Sequence, residues 1–221
     1  MTKWFAVGVK ALIPRGIEFT GQNVYTMSRR DIMASASNSI IVACWVIFLA
    51  YWIVSAPRAK PTAERQGLLS SLAHRLPIGL GWWMLAFPGL PPPMNRVLIP
   101  RADWVLVSGV LVCVLGLLVT IWARRTLAGN WSSDVTFKQG HELVRSGPYR
   151  FARHPIYTGL LVMCLGSAIE IGRLRCFLGI AVVLIGFWIK IKQEERLLLR
   201  HFPGAYPAYQ KQVKALVPFI F

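Results

Sequence analysis

From Ser39 to Ala56 the chain reads SIIVACWVIFLAYWIVSA, without one charged residue. A helix of about 20 mostly apolar residues crosses the hydrocarbon core of a bilayer, and this run has that character. Trp104 to Ala123 is a second such run, with a Trp at each end to anchor in the interface. Ile156–Ile171 and Leu174–Ile189 follow, separated only by a tight turn at Gly172-Arg173, so they are expected to form an antiparallel helical hairpin. Leu76–Leu90 is shorter and broken by Gly and Pro, either a kinked span or a re-entrant segment. The composition agrees. The 221 residues are 55% hydrophobic and 15% charged, against about 25% charged in a soluble domain. The expected fold is all-α: a multi-pass transmembrane helical bundle of about five spans, with that C-terminal hairpin and an interfacial cytosolic tail.

The formal net charge is +16. The basic residues sit between apolar runs and form no continuous tract, so they are assigned to membrane loops and anionic lipids rather than to nucleic acid. With five spans, one side holds Arg96, Arg101, Arg173, Arg175 and the basic residues up to Arg30. The other side holds the remaining Lys and Arg, including Arg145, Arg150, Arg153 and the tail. The positive-inside rule makes that second side cytoplasmic. Three regions are expected: a lead over 1–37, interfacial or disordered at its start; transmembrane helices over 38–125; and a catalytic region over 126–221. The first apolar run reads as a retained anchor. The four cysteines, Cys44, Cys113, Cys164 and Cys176, lie in or beside apolar runs without CxxC spacing and read as small buried hydrophobes. Glycines recur every seven residues at Gly109 and Gly116, at Gly159 and Gly166, and at Gly172, Gly179 and Gly186. Seven residues are nearly two helical turns, so each set marks one face for close packing in lipid.

Polar chemistry is concentrated in two places. SGPYRFARHPIYTG, from Ser146 to Gly159, has a turn at Gly147-Pro148 and a helix start at Pro155. Arg153 and His154 then stand at a helix N-terminus, where free N–H groups favour an anion. Tyr149 and Tyr157 suit stacking or a polar head, although a basic and aromatic interface belt would use similar residues. Further on, Glu194-Glu195 is the one adjacent acidic pair, and Lys190 shares a helix face with Glu194. The tail from His201 to Val217 is amphipathic and aromatic, suited to roofing a site along the interface. His141, His154 and His201 lack a metal-ligand spacing, so no metal is expected. His74, alone in a basic stretch, reads as solvated.

GHELVRSGPYRFARHPIYTG, a hairpin of two apolar runs, and then EERLLLRHFPGAYPAYQKQVKALVPFI together resemble the isoprenylcysteine carboxyl methyltransferase family and its phospholipid methyltransferase relatives. The resemblance covers about Asn130 to Phe221. It implies a multi-pass membrane enzyme that uses S-adenosylmethionine without a Rossmann fold, with a cytosol-facing pocket between the last spans and the C-terminal segment. By motif position it implies cofactor contacts at His141, Leu143, Val144, Tyr149, His154, Pro155 and Tyr157. Glu194 is implied as the acid that holds the cofactor, with Glu195 beside it. Where the isoprenylcysteine enzymes have a substrate-orienting Arg, this chain has Lys190, a point charge in place of a fork. Arg153, Lys190 and Glu194 are therefore the candidate catalytic residues. The expected reaction is carboxyl O-methylation of an isoprenylcysteine-like lipophilic acceptor, a small molecule or a prenylated protein. The alternatives are methylation of a phospholipid or of a small thiol or amine, and a nicotinamide-dependent reductase of the sterol type.

Overall fold

The structure, a computed structural model, describes residues 28–65, 67–132, 135–138, 140 and 142–217. The lead over 1–27 and His141 lie outside the described residues. Helix α1 (Arg29–Ser55) starts ten residues before the uncharged run, because Ser28 accepts a hydrogen bond from the Arg30 N–H at 3.3 Å and Asp31 sits in the first turn. Helix α2 (Leu68–Ala86) continues through Pro77. Helix α3 (Asp103–Leu127) has Asp103 in its first turn and Arg124 and Arg125 in its last, matching the helix dipole at both ends. Helix α4 (Pro155–Ile171) begins on its proline and ends at Gly172, whose φ of +68° is the left-handed conformation of a C-terminal cap. Helix α5 (Leu174–His201) and the short α6 (Ala205–Gln212) complete the set. Strands β1 (Thr62–Arg65) and β2 (Thr136–Lys138) pair antiparallel, so two loops meet as a small ribbon beside the all-helical body.

Every apolar run becomes a helix. Three of them, α1, α3 with its short C-terminal extension to Asn130, and α5, are long and apolar enough to cross a membrane, and α4 is a shorter apolar helix. Their outward faces carry exposed Val42, Val46 and Ile53 on α1 and Leu111, Leu115 and Leu118 on α3. Such continuous apolar surface needs lipid rather than water against it, and the chain is an integral membrane protein.

The glycine faces decide which helices pair. A Cβ on Gly166 would lie 2.6 Å from the Gly109 carbonyl oxygen, and one on Gly159 would lie 2.8 Å from that of Gly116. Helices α3 and α4 thus touch backbone to backbone. Helices α2 and α5 do the same: a Cβ on Gly179 would lie 2.8 Å from the Gly81 oxygen, and one on Gly186 3.0 Å from the His74 oxygen. The turn-linked helices α4 and α5 therefore each pack mainly on an earlier helix rather than on each other. Gly172 belongs to no packing face, since it forms the turn. All four cysteines are free and buried. Arg175 closes the α2–α5 pair by donating to the Met84 carbonyl at 2.7 Å and to the Leu85 carbonyl at 2.5 Å, at the end of α2. A large cavity remains between α1 and α2, bridged by an edge-to-face contact of Trp45 and Trp82 at 4.6 Å.

Candidate active site

Helix α5 runs twelve residues past Ile189, because Lys, Gln, Glu, Arg and Leu are strong helix formers. That extension carries Lys190 and Glu194 on one face and Glu195 about 100° around from it. The opposite wall is the start of α4. Here the tail turns back: the Arg153 N–H donates to the Lys214 carbonyl and the His154 N–H to the Ala215 carbonyl, both at 2.9 Å, and the Thr158 hydroxyl donates to the Leu216 carbonyl at 2.8 Å. Among these donors the His154 N–H is the N-cap donor of α4. The tail therefore lies along the helix start that the sequence suggested for an anion.

The side chains form one network. Arg153 donates through Nε and Nη2 to Glu195 Oε1, at 2.8 and 2.6 Å, and through Nη1 to the Gln210 and Val213 carbonyls of the tail. Gln210 Nε2 donates to the other oxygen of Glu195 at 3.2 Å. His154 bridges the acid pair, with Nδ1 3.4 Å from Glu194 Oε2 and Nε2 3.3 Å from Glu195 Oε1. Burial acts to lower the basicity of His154, but the hydrogen bonds and charges of the two glutamates outweigh it and raise the imidazole above its ordinary value. The Tyr157 hydroxyl donates to Glu194 Oε1 at 2.5 Å. The Tyr157 ring stacks between His154 and Phe187, and Lys190 Nζ lies 5.3 Å from its centroid. The Tyr209 hydroxyl donates to the Tyr149 carbonyl, and burial pushes that phenol up to about 12.

The cavity, of about 1180 Å³, has an apolar body between two polar ends, one with Arg153, His154, Lys190 and Glu194 and the other with Arg101, Glu170, Arg173 and Arg175. Tyr149, Arg153, His154, Tyr157, Lys190 and Glu194 all line it, and the body is walled by Trp45, Trp52, Trp82, Ile78, Leu160 and Phe187. The Glu194 side chain keeps 22% of its surface accessible, against 7% for Glu195, so Glu194 is the acid that faces the open space. Pro155 is buried at the helix start, and Glu195 is turned to Arg153 and the tail; neither lines the cavity. Leu143 and Val144 line a separate recess of about 730 Å³, which shares Leu127 and Asn130 with the cavity.

His74 is not solvated. It is 2% exposed, on α2, and lines the cavity on the same side as Lys190. Its Nδ1 is 2.8 Å from Gln193 Oε1 on α5. The basic neighbours obscured a helical signal: His74, Ile78, Gly81 and Leu85 recur at spacings of four, three and four, one face of a helix.

Comparison with known proteins is consistent with this geometry. The model of the isoprenylcysteine carboxyl methyltransferase (ICMT) family matches residues 109–200. The protein-S-isoprenylcysteine O-methyltransferase of Homo sapiens is 32% identical over 123 residues, 54% of this chain and 43% of that one. The protein of the same name from Tribolium castaneum is 32% identical over 140 residues, 61% of this chain and 46% of that one. Protein-S-isoprenylcysteine O-methyltransferase A of Arabidopsis thaliana is 28% identical over 140 residues, 62% of this chain and 66% of that one. The match thus spans less than half the length of the human and Tribolium relatives. Among solved structures, that of the eukaryotic intramembrane Ras methyltransferase ICMT is similar in fold. Its TM-score is 0.55 at 24% identity, over 88% of this chain and 69% of that one.

Proposed function

We propose that the protein is an S-adenosylmethionine-dependent methyltransferase of the membrane that esterifies the carboxylate of an isoprenylcysteine-like acceptor. The observation that carries this reading is a carboxylate, Glu194, partly accessible at one polar end of a Trp-walled cavity and aimed by His154 and Tyr157. The names of the relatives support the acceptor class.

The residues present fit the methyl donor, a sulfonium with an amino acid head, a ribose and an adenine. Glu194 would hold its ammonium or its ribose, since an ionised acceptor makes the stronger hydrogen bonds. The Tyr149 ring, the Tyr157 ring edge and the adjoining recess at Leu143 and Val144 would take the remainder, with His141 beside them by motif position. The bound donor supplies an electrophilic methyl group. The protein's own task is alignment, because in-line displacement demands geometry above all. A carboxylate acceptor is already a nucleophile and needs no base. It needs a cation that orients it, and of the two candidates Lys190 suits the task. Arg153 is committed to Glu195 and to two tail carbonyls, so its part is to hold the roof of the site. The apolar cavity body accommodates a lipid tail, so an acceptor would enter sideways from the bilayer while the donor arrives from water. The site lies on the side richer in Lys and Arg, which we assign to the cytoplasm.

The test is transfer of labelled methyl, in detergent, into a prenylcysteine, an aminophospholipid and a small thiol. Base-labile methyl ester on the prenylcysteine is the expected product. A methylated amine or thiol with no ester would overturn the carboxylate reading. Calorimetry with S-adenosylhomocysteine and with a reduced nicotinamide dinucleotide completes it; binding of the dinucleotide alone would overturn the methyltransferase.

A further inference from the structure

We infer that His74 is a specificity-determining residue that selects acceptors bearing an N–H next to the methyl-accepting carboxylate, an inference that rests on the carboxylate reading above. The argument starts from Gln193. Its Nε2 donates to the Ser70 carbonyl at 2.9 Å, and a carbonyl can only accept. That fixes the amide the other way round at its second partner: Oε1, an acceptor, faces His74 Nδ1 at 2.8 Å. Nδ1 must therefore carry the ring hydrogen. At about pH 8 an imidazole of ordinary basicity is neutral, so Nε2 is left with a lone pair.

On this inference Nε2 is the ring atom that meets the cavity, since His74 lines it whereas Gln193, which holds Nδ1, does not. The absence of a side chain at Gly186 lets α5 approach within 3.0 Å of the His74 carbonyl, measured from an added Cβ, which seats the ring beside the α5 face that carries Lys190 and Glu194. This end of the cavity thus presents a cation, Lys190, and a neutral acceptor, His74 Nε2. A carboxylate is drawn to the first and repelled by the second. An N–H donor finds a partner at the second. Read together they match an acylated amino acid terminus, –NH–CH–COO⁻, and discriminate against a bare fatty or isoprenoid acid that leaves Nε2 without a donor. A site built to hydrogen-bond a group penalises the analogue that lacks it.

The experiment compares kcat/KM, at pH 8 and in detergent, for N-acetyl-S-farnesylcysteine and for S-farnesylthiopropionic acid, its analogue without the amide. The unaltered protein is expected to favour the amide acceptor about three- to tenfold, the worth of one net hydrogen bond. His74→Phe brings that ratio toward one. His74→Gln, which offers a carbonyl oxygen in place of Nε2, keeps part of it. Gln193→Leu, which leaves the ring but frees its tautomer, lowers it to an intermediate value. Binding of S-adenosylhomocysteine certifies each variant as folded, and the two milder variants decide the matter if His74→Phe does not fold. Equal kcat/KM for both acceptors in the unaltered protein overturns the inference, as does a preference that survives in folded His74→Phe and Gln193→Leu. Absence of ester from both acceptors has a different meaning: the carboxylate reading itself has failed, and this inference falls with it.

Discussion

Removing the Arg153 guanidinium should open the roof of the site before it unfolds the protein. In Arg153→Ala, Glu195 loses two charge-assisted bonds, and the tail loses its bonds from Arg153 to the Gln210 and Val213 carbonyls. The pair is nearly enclosed, with side-chain exposures of 11% and 7%. Breaking such a pair by deleting one partner costs about 3–5 kcal/mol. The low end applies here, because His154 and Gln210 still contact the stranded carboxylate. About 3 kcal/mol corresponds to roughly a hundredfold in an opening equilibrium. The assay is amide hydrogen exchange over residues 205–217, compared with the glycine-packed stretches of α3 and α4. Exchange of the Tyr206 and Val213 amides, which donate to the Phe202 and Tyr209 carbonyls, should quicken by roughly a hundredfold while α3 and α4 stay protected. Arg153→Lys keeps the charge without the fork and should fall between. Unchanged protection of the tail in Arg153→Ala would refute the reasoning. So would loss of protection throughout, because the pair would then support the whole fold rather than the roof.

Glu194→Gln should weaken S-adenosylhomocysteine binding by about ten- to a hundredfold, the range for a hydrogen bond to a charged group, with the helical circular dichroism retained; unaltered affinity would remove Glu194 from the donor site. Gly166→Ala should destabilise by about 1–3 kcal/mol through overpacking against the Gly109 carbonyl. By contrast Gly79→Ala, which meets nothing within 4 Å, should be neutral or stabilising in the same thermal melts. The pH dependence follows from His154. Its folded basicity is raised above the ordinary 6.5, so its ion pairs contribute fully below that value and are lost as pH climbs through the folded value. The melting temperature gap between the unaltered protein and His154→Gln should therefore be widest at or below pH 6.5 and narrow on the alkaline side. A gap that widens with pH would reverse the assignment.

The helices were legible because hydropathy alone locates a segment that needs lipid. Their partners were not. The seven-residue glycine spacing marks a face on each helix, but a face does not name what it meets, and Gly172 kept the spacing while serving as a turn. The full length of α5 was legible only in part: hydropathy stops at Ile189 and the helix face shared by Lys190 and Glu194 extends it, whereas helix propensity continues to His201. Within the candidate site, Tyr149, Arg153, His154, Tyr157, Lys190 and Glu194 stood out because they cluster in two short stretches, and all six line the same cavity. The difference between Glu194 and Glu195 came only from the family resemblance and not from the residues themselves, because it depends on which side of α5 the tail covers. His74 was masked by Arg75 and by Pro77, a residue that usually argues against a helix interior.

The cavity has a thermodynamic consequence. The apolar body of the cavity, walled by indole and aliphatic groups, offers water few partners, so an amphiphile from detergent or lipid is expected to bind there. That guest then belongs to the native state and not to the unfolded one, and it shifts the folding equilibrium by mass action. The melting temperature is therefore expected to differ from one detergent or lipid mixture to the next, as thermal melts across a detergent series would read out.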